Sequence, residues 1–593
     1  MARGWFLSAL ACAVIAGAAE PAAAASCGLD KLAELPVTMV GRDAVVTARI
    51  NGEFARLAVD TGSFFSMLTP AAAARLHMTP GPLPYGLTVR GVTGAAQVKM
   101  ATAKDFMVMG VPLHGVDFLV GEHELGPVDG LLGQNLLAVA DVEFDLGHGV
   151  IRLMKPHDCG DQPLAYWANG QTGLGVMSID PILPPQNRIR GSATLNGTHI
   201  HVTFDTGDSY SVLTVRAARE AGVKTTDPGV ISAGVSSGIG RKLAPSWIAP
   251  FDSFEIGGET VKNTRLRVGD LELDDSDMLI GADFFLSHRI YVSKSQRKIY
   301  FTYNGGPVFN LEVTPPPTPE GTVAAVTPPA AGQQAPAADD PVDESGFSRR
   351  AGAFVARHEY DQAIADFTRA AQLAPNDPKP LYDRGVTHAL NRQPILAMDD
   401  LDQALKLKPN SAPALLMRGQ LRLAEHDDAG GKADFEAALK IAPTARLRVA
   451  DDLARAGLFD DALGEYDQWI AGQPHNEDLA PALAGRCRAR ALANRDLDKA
   501  EADCNDALSL RPGAPQSLDS RGLVRLRQGK LDQAIADYDA ALKLEPDTAW
   551  SLYGRGVAEL KKGQTEPGNA DIAAATALMP GLPARAKAWG IGP

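Results

Sequence analysis

Short apolar runs fill the first half of the chain. Between residues 35 and 156 they are of strand length, rich in β-branched side chains and broken by Gly turns, which predicts an all-β unit. Residues 175–304 repeat the pattern. The connector between them, 157–174, holds Cys159, Gly160, Pro163 and Gly170. Over 312–343 the pattern vanishes into Pro and Ala, with Thr314-Pro315-Pro316-Pro317-Thr318-Pro319 at its start, and this reads as a semi-extended, disordered linker. From 345 to 593 the apolar period becomes helical and the segment repeats itself. Prolines fall at 375, 409, 443, 474, 512, 546 and 580, mostly 34 residues apart. Glycines 385, 419, 522 and 556 and alanines 363, 397, 500 and 534 keep the same phase, as expected of helix pairs packed closely through small residues. About seven repeats are counted. The fourth departs most, with a first helix about three residues short and extra residues after Pro474.

The two β units match in detail. Each has a strand, an Asn-Gly turn (Asn51-Gly52, Asn196-Gly197) and a second strand that ends in Asp-Thr-Gly: Asp60-Thr61-Gly62-Ser63 and Asp205-Thr206-Gly207-Asp208. Each triplet is followed at one offset by Ser-x-Leu-Thr, Ser66–Thr69 and Ser211–Thr214. The triplets stand 145 positions apart (205 against 60). Such a tandem duplication presents one carboxylate per unit from a tight loop. Two carboxylates within hydrogen-bonding distance cannot both ionise comfortably; they share a proton and can activate a water between them.

Each unit resembles a lobe of a retropepsin-type aspartic protease. Besides the triplets, the resemblance is carried by the late apolar-Gly segments Asp129-Gly130-Leu131-Leu132-Gly133 and Asp277-Met278-Leu279-Ile280-Gly281. It is also carried by Gly-punctuated stretches at the place of the family's flap, with Gly91 and Gly94 in one unit and Gly234 and Gly238 in the other. The resemblance implies two all-β lobes closed into an intrachain pseudo-dimer, with Asp60 and Asp205 as the catalytic pair and no cofactor. It further implies Thr61 and Thr206 cross-bracing the loops, Gly62 and Gly207 allowing close approach, and Ser63 hydrogen-bonded to its carboxylate. Asp208 stands where the family has Ser or Ala; it raises the pKa of the pair, points away to solvent, or marks a degenerate lobe. The helical half resembles the tetratricopeptide repeat, an all-α solenoid whose concave face takes a peptide or protein partner. Repeat spacing sets Cys487 and Cys504 at equal heights on the two helices of one repeat, facing the core, so a disulfide is expected there.

Net charge is −14 with no basic stripe, which argues against nucleic acid as partner. Residues 1–25 read as a secretory signal: Arg3, an apolar core from Trp5 to Ala19, Pro21 and a small-residue site at Ala23-Ala24-Ala25. No later run has the length of a membrane span. The expectation is therefore an exported protein, periplasmic or secreted and of bacterial type. In that setting Cys27 and Cys159, flanking the first lobe, are expected to pair. No metal site is expected: His199 and His201 share a strand face with no third ligand near in sequence. Gly234-Val235-Ser236-Ser237-Gly238 matches a serine-hydrolase elbow, but Gly240, Pro245 and Pro250 forbid the helix such an elbow needs. Asp399-Asp400 and Asp451-Asp452 read as solvated helix faces. The leading reading is an aspartic endopeptidase acting on a protein or peptide, with repeats that recruit substrate or partner. A non-catalytic scaffold with vestigial lobes is the alternative, and pairing of Asp60 with Asp60 of a second chain is a third.

Overall fold

The computed structural model describes residues 27–309 and 341–592 except 85–88, 92–93, 97, 109–110, 122–127, 169–172, 181–187, 237–243, 272, 274 and 474–477. The segment 1–25 expected to be a signal, most of the linker, Gly238 and the residues just after Pro474 thus lie outside the described residues.

The Asn-Gly turns build the lobes. Asn51 and Gly52 adopt φ of 50° and 92°, and Asn196 and Gly197 adopt 48° and 80°. These left-handed values match the twist of a two-residue hairpin, and Asn and Gly bear them at least cost. The flanking strands Asp43–Ile50 and Glu53–Val59 pair antiparallel, as do Arg190–Leu195 and Thr198–Phe204. Both Asn side chains then reach across to the next hairpin: Asn51 Oδ1 accepts from the Lys104 amide at 2.9 Å, and Asn196 Oδ1 from the Asp252 amide at 2.8 Å. Each seven-stranded sheet closes on itself, through Asp43–Ile50 with Val98–Val108 in lobe one and Arg190–Leu195 with Ala244–Ile256 in lobe two. The result is two barrels of the same design.

A third sheet joins them. Its order is Gly28–Pro36, Val150–His157, Asp141–Asp145, His288–Ser293, Lys298–Tyr303, Gly175–Ser178, so lobe-one and lobe-two strands pair at its centre. There the fully buried Glu143 accepts from Arg152 (2.6 Å), Arg289 (2.9 Å) and Tyr166 (2.9 Å), so its charge is compensated from both lobes. Cys27 and Cys159 are disulfide-bonded at the sheet's edge, next to the Gly28–His157 pair.

From Glu344–Ala356 to Thr565–Leu578 the chain is a stack of antiparallel helix pairs, closed by the helix Leu582–Ala588. The in-phase alanines 363, 397, 500 and 534 are fully buried. A Cβ on Gly556 would lie 2.7 Å from the Gly568 carbonyl, so those two helices touch backbone to backbone. The first helix of the fourth pair, Arg446–Ala456, has 11 residues against 13 for Ala412–Ala424. Cys487 and Cys504 are bonded across the fifth pair, with Cα atoms 5.6 Å apart.

One expectation needs correction. Asp399 and Asp451 are exposed, but Asp400 and Asp452 are buried. Asp400 receives a two-pronged bond from Arg384, Nε to Oδ2 at 2.8 Å and Nη2 to Oδ1 at 2.6 Å. The same pairing, at the same spacing of 16, joins Arg350 to Asp366, Arg418 to Asp434, Arg521 to Asp537 and Arg555 to Asp571. The remaining Nη1 of Arg384, Arg418, Arg521 and Arg555 turns back 16 residues to the preceding repeat, for example Arg418 to Asp402 at 2.7 Å. An Arg ladder thus ties five of the pairs internally and four of them to the preceding repeat. The solenoid is seated on the lobes: Ala353 and Ala356 join the lobes' core, Arg357 donates to the Leu286 carbonyl (3.0 Å), and Arg42 donates to that of Ala356 (3.2 Å).

Candidate active site

Each aspartate leaves the end of a strand whose alternation decides where it points. In Glu53–Val59, Leu57 and Val59 enter the lobe core, so Ala58 and then Asp60 face the other way. In Thr198–Phe204, Val202 and Phe204 are core, so Thr203 and Asp205 face the same outer side. The two triplets meet head to head. The Thr61 amide donates to Thr206 Oγ1 (3.1 Å) and the Thr206 amide to Thr61 Oγ1 (3.0 Å). Each hydroxyl in turn donates across the interface, Thr61 to the Phe204 carbonyl (2.8 Å) and Thr206 to that of Val59 (2.7 Å).

The glycines record how close the carboxylates come. A Cβ on Gly62 would sit 2.1 Å from Asp205 Oδ2, and one on Gly207 would sit 2.6 Å from Asp60 Cγ. Each Gly therefore lies against the opposite lobe's carboxyl, a reciprocity only a pseudo-twofold pair produces. Asp60 is 8% exposed, and its Oδ1 accepts from the amides of Gly62 (2.9 Å) and Ser63 (2.8 Å). Ser63 reaches Asp60 by that amide; its hydroxyl, expected on the carboxylate, donates to the Phe65 carbonyl instead (2.8 Å). Asp205 Oδ1 accepts from Gly207 (3.0 Å). Burial, and next the charge of Asp205, hold the Asp60 carboxyl well above the usual range. Burial raises Asp205 too, opposed by its hydrogen bond to Asp60. The two carboxyls therefore titrate as one pair and not independently.

Asp208 belongs to this cluster. Burial first, then the charges of Asp205 and Asp283, push its carboxyl up to about 8. Asp283 was not singled out in the sequence. The Ser66 and Ser211 hydroxyls donate to Asn135 and Asp283, at 2.8 and 2.7 Å, and accept from the Gly133 and Gly281 amides, each at 2.9 Å. Thr69 and Thr214 cap the short helices that follow. The offset of Gly-Gln-Asn against Gly-Ala-Asp was the signal available for Asp283. Gly91 pairs with Gly94 in a hairpin, and Gly234, at φ 75°, lies where the pairing of Ile231–Ser236 slips between Ser232 and Val235. His199 and His201 are exposed on one face of the strand Thr198–Phe204, with ring centres 5.2 Å apart.

Two segments, 46–136 and 191–284, match the family model described as aspartyl protease. Residues 349–412 match a tetratricopeptide repeat model and 522–563 a second TPR model. No curated protein matches the chain. Among solved structures, a tetratricopeptide repeat protein from Parabacteroides merdae is 16% identical with a TM-score of 0.36, over 40% of this chain and 93% of that one. PilW, a type IV pilus biogenesis factor, is 16% identical with a TM-score of 0.30, over 34% and 94%. Yeast Tom70 is 21% identical with a TM-score of 0.30, over 38% and 48%. The chain thus carries an aspartyl protease-like domain in two lobes, followed by tetratricopeptide repeats.

Proposed function

We propose that the lobes hydrolyse peptide bonds with a water activated between Asp60 and Asp205. The observation that carries this is the reciprocal approach of Gly62 to Asp205 and Gly207 to Asp60, where burial and the charge of Asp205 hold the Asp60 carboxyl well above the usual range. The ionised carboxyl takes a proton from water as its oxygen attacks the amide carbon, and the protonated one gives its proton to the carbonyl oxygen. Collapse of the tetrahedral species returns a proton to the leaving nitrogen, breaks the C–N bond and restores the pair. The amides of Gly62 and Ser63 orient Asp60, and the Thr61–Thr206 exchange keeps the loops in register.

Two further elements complete the reading. The repeats recruit the substrate or a partner, as such solenoids present a continuous concave surface. The protein is exported to an oxidising compartment; the apolar amino-terminal segment and the two disulfides support this. The test is incubation of the full chain with a peptide library from acidic to neutral pH. Asp60→Asn and Asp205→Asn should each cut the rate by about a thousandfold or more, because one ionised and one protonated carboxyl are both needed. Cleavage that survives either change would refute the mechanism.

A further inference from the structure

The faces that the two lobes turn toward the aspartates are built in the same register. In lobe one Val45 pairs with Ala58, Ala58 with Leu131, Leu131 with Met67 and Met67 with Leu119. In lobe two the same ladder reads Arg190, Thr203, Leu279, Val212 and Arg267. The lobe-one set is one apolar cluster, joined by Phe64, Phe65 and Val89. Its lobe-two counterpart is mixed: Leu279 and Val212 are apolar, Thr203 is polar, and the two outer members are arginines.

The charges of those arginines are met differently. Arg190 is ion-paired with Asp275 at 3.1 Å. Arg267, the counterpart of Leu119, forms no ion pair among the described residues. Its Nη1 donates to the Ala233 carbonyl (3.3 Å) and to Ser246 Oγ (3.0 Å), both neutral, and its buried Nε has no partner. The Ala233 bond puts it under the strand Ile231–Ser236, at the place of the flap. Its guanidinium lies 4.9 Å from the ring centre of Tyr210, the counterpart of Phe65. Arg42 lies 4.2 Å from the same ring, is 8% exposed, and also has an unpartnered buried nitrogen and no ion pair among the described residues. A guanidinium stays ionised at every working pH, so two cations without a direct ion pair flank one aromatic ring, and buried Asp283 is the carboxyl whose charge acts on both. The neighbouring Asp208 adds no charge to Arg267 at neutral pH, since its carboxyl holds its proton to about 8. An unfilled buried donor on an ionised group is costly, and a carboxylate is its natural partner.

We infer that the substrate face is asymmetric: the lobe-two side takes an acidic peptide side chain, with Arg267 as its specificity-determining partner, and the lobe-one side takes a large apolar one. This rests on the hydrolytic reading for its setting, but binding tests it separately. Two carboxyl-amidated, fluorescein-labelled peptides would differ only in Glu or Leu at the residue next to the scissile bond that the library assigns to lobe two, or, lacking cleavage, at each position of an apolar-flanked core in turn. With the full-length Asp60→Asn protein, fluorescence anisotropy should show the Glu peptide bound about tenfold or more tighter, the scale of one charge-assisted hydrogen bond. Arg267→Leu, which installs the lobe-one residue, should erase or reverse that preference while leaving affinity for the Leu peptide within about twofold. Where Asp60 is intact, kcat/KM should follow the same order. Equal affinities for the two peptides, or a Glu preference that survives Arg267→Leu, overturn the inference. A preference seen only with a free carboxyl terminus assigns the site to a chain end and overturns the side-chain assignment. Retained Glu preference without any cleavage would leave this inference standing and sink the hydrolytic reading.

Discussion

Replacing Asp208 by Asn should stabilise the protein by an amount that grows with pH. Burial, then the charges of Asp205 and Asp283, move the Asp208 carboxyl from an ordinary 3.8 to about 8, with Arg267 opposing. The unfolded chain ionises it near 3.8. Between the two values the folded state holds a proton that the unfolded state has released. Stability therefore falls as pH rises through this window, and the loss is complete above about 8. At about 1.36 kcal/mol per tenfold step, the whole rise corresponds to about 6 kcal/mol. Asp208 is only partly buried, so solvent screening reduces the figure; about 2–3 kcal/mol is expected at pH 8.5 and well under 1 at pH 4. Asn keeps the shape and cannot ionise. Calorimetric unfolding of the full chain should show the lobe transition about 5 °C or more higher in the variant at pH 8.5, converging toward the parent at pH 4. A difference in Tm that is the same at both pH values would refute the argument, because it would mean that Asp208 ionises in the folded state as in the unfolded one.

In the solenoid, Arg384→Ala leaves buried Asp400 with only His388, at 3.7 Å, as an ion-pair partner among the described residues and should cost about 3–5 kcal/mol, read as a lower helical transition by circular dichroism. Arg384→Met with Asp400→Leu should recover most of it; no recovery would show that the ladder acts through something other than uncompensated charge. Cys504→Ala should lower the same transition by about 3 kcal/mol in oxidised protein and by nothing in protein kept reduced, and free thiols at both positions in exported protein would rule out that bridge.

The duplication was readable because it used punctuation. Asn-Gly, Asp-Thr-Gly and Ser-x-Leu-Thr each specify a local conformation, so their recurrence exposed two lobes and the strands that carry the aspartates. The helical half was readable through the phase of Gly, Ala and Pro, since only small residues fit where two helix backbones touch. What stayed hidden depends on register between distant strands. Arg267 sits in an ordinary-looking strand, and only its pairing with Val212 reveals it as the counterpart of Leu119. Asp400 was misread for a related reason. Asp-Asp on a helix looks solvated until an arginine 16 residues earlier, on the partner helix, is seen to reach one of the two. Ser63 was misread at shorter range: its amide and its hydroxyl compete for acceptors, and the turn sends the hydroxyl to Phe65.

Fusing the lobes in one chain is what allowed them to diverge. In an assembly of two identical lobes, every residue near the axis appears twice. A second Asp208 would then face the pair from the other side, and Arg267 would also stand where Leu119 closes the apolar cluster. Here each appears once, opposite Ser63 and Leu119, so one acid and one unpaired cation are carried without a like-charged twin. The same geometry opposes pairing of Asp60 with its copy in a second chain. Thr61 and Gly62 are already committed to Thr206 and Asp205 of their own chain, through bonds of 3.1 and 3.0 Å and a glycine with no room for a Cβ. Exchanging that partner would break four buried hydrogen bonds and place an identical loop where a matched one already fits.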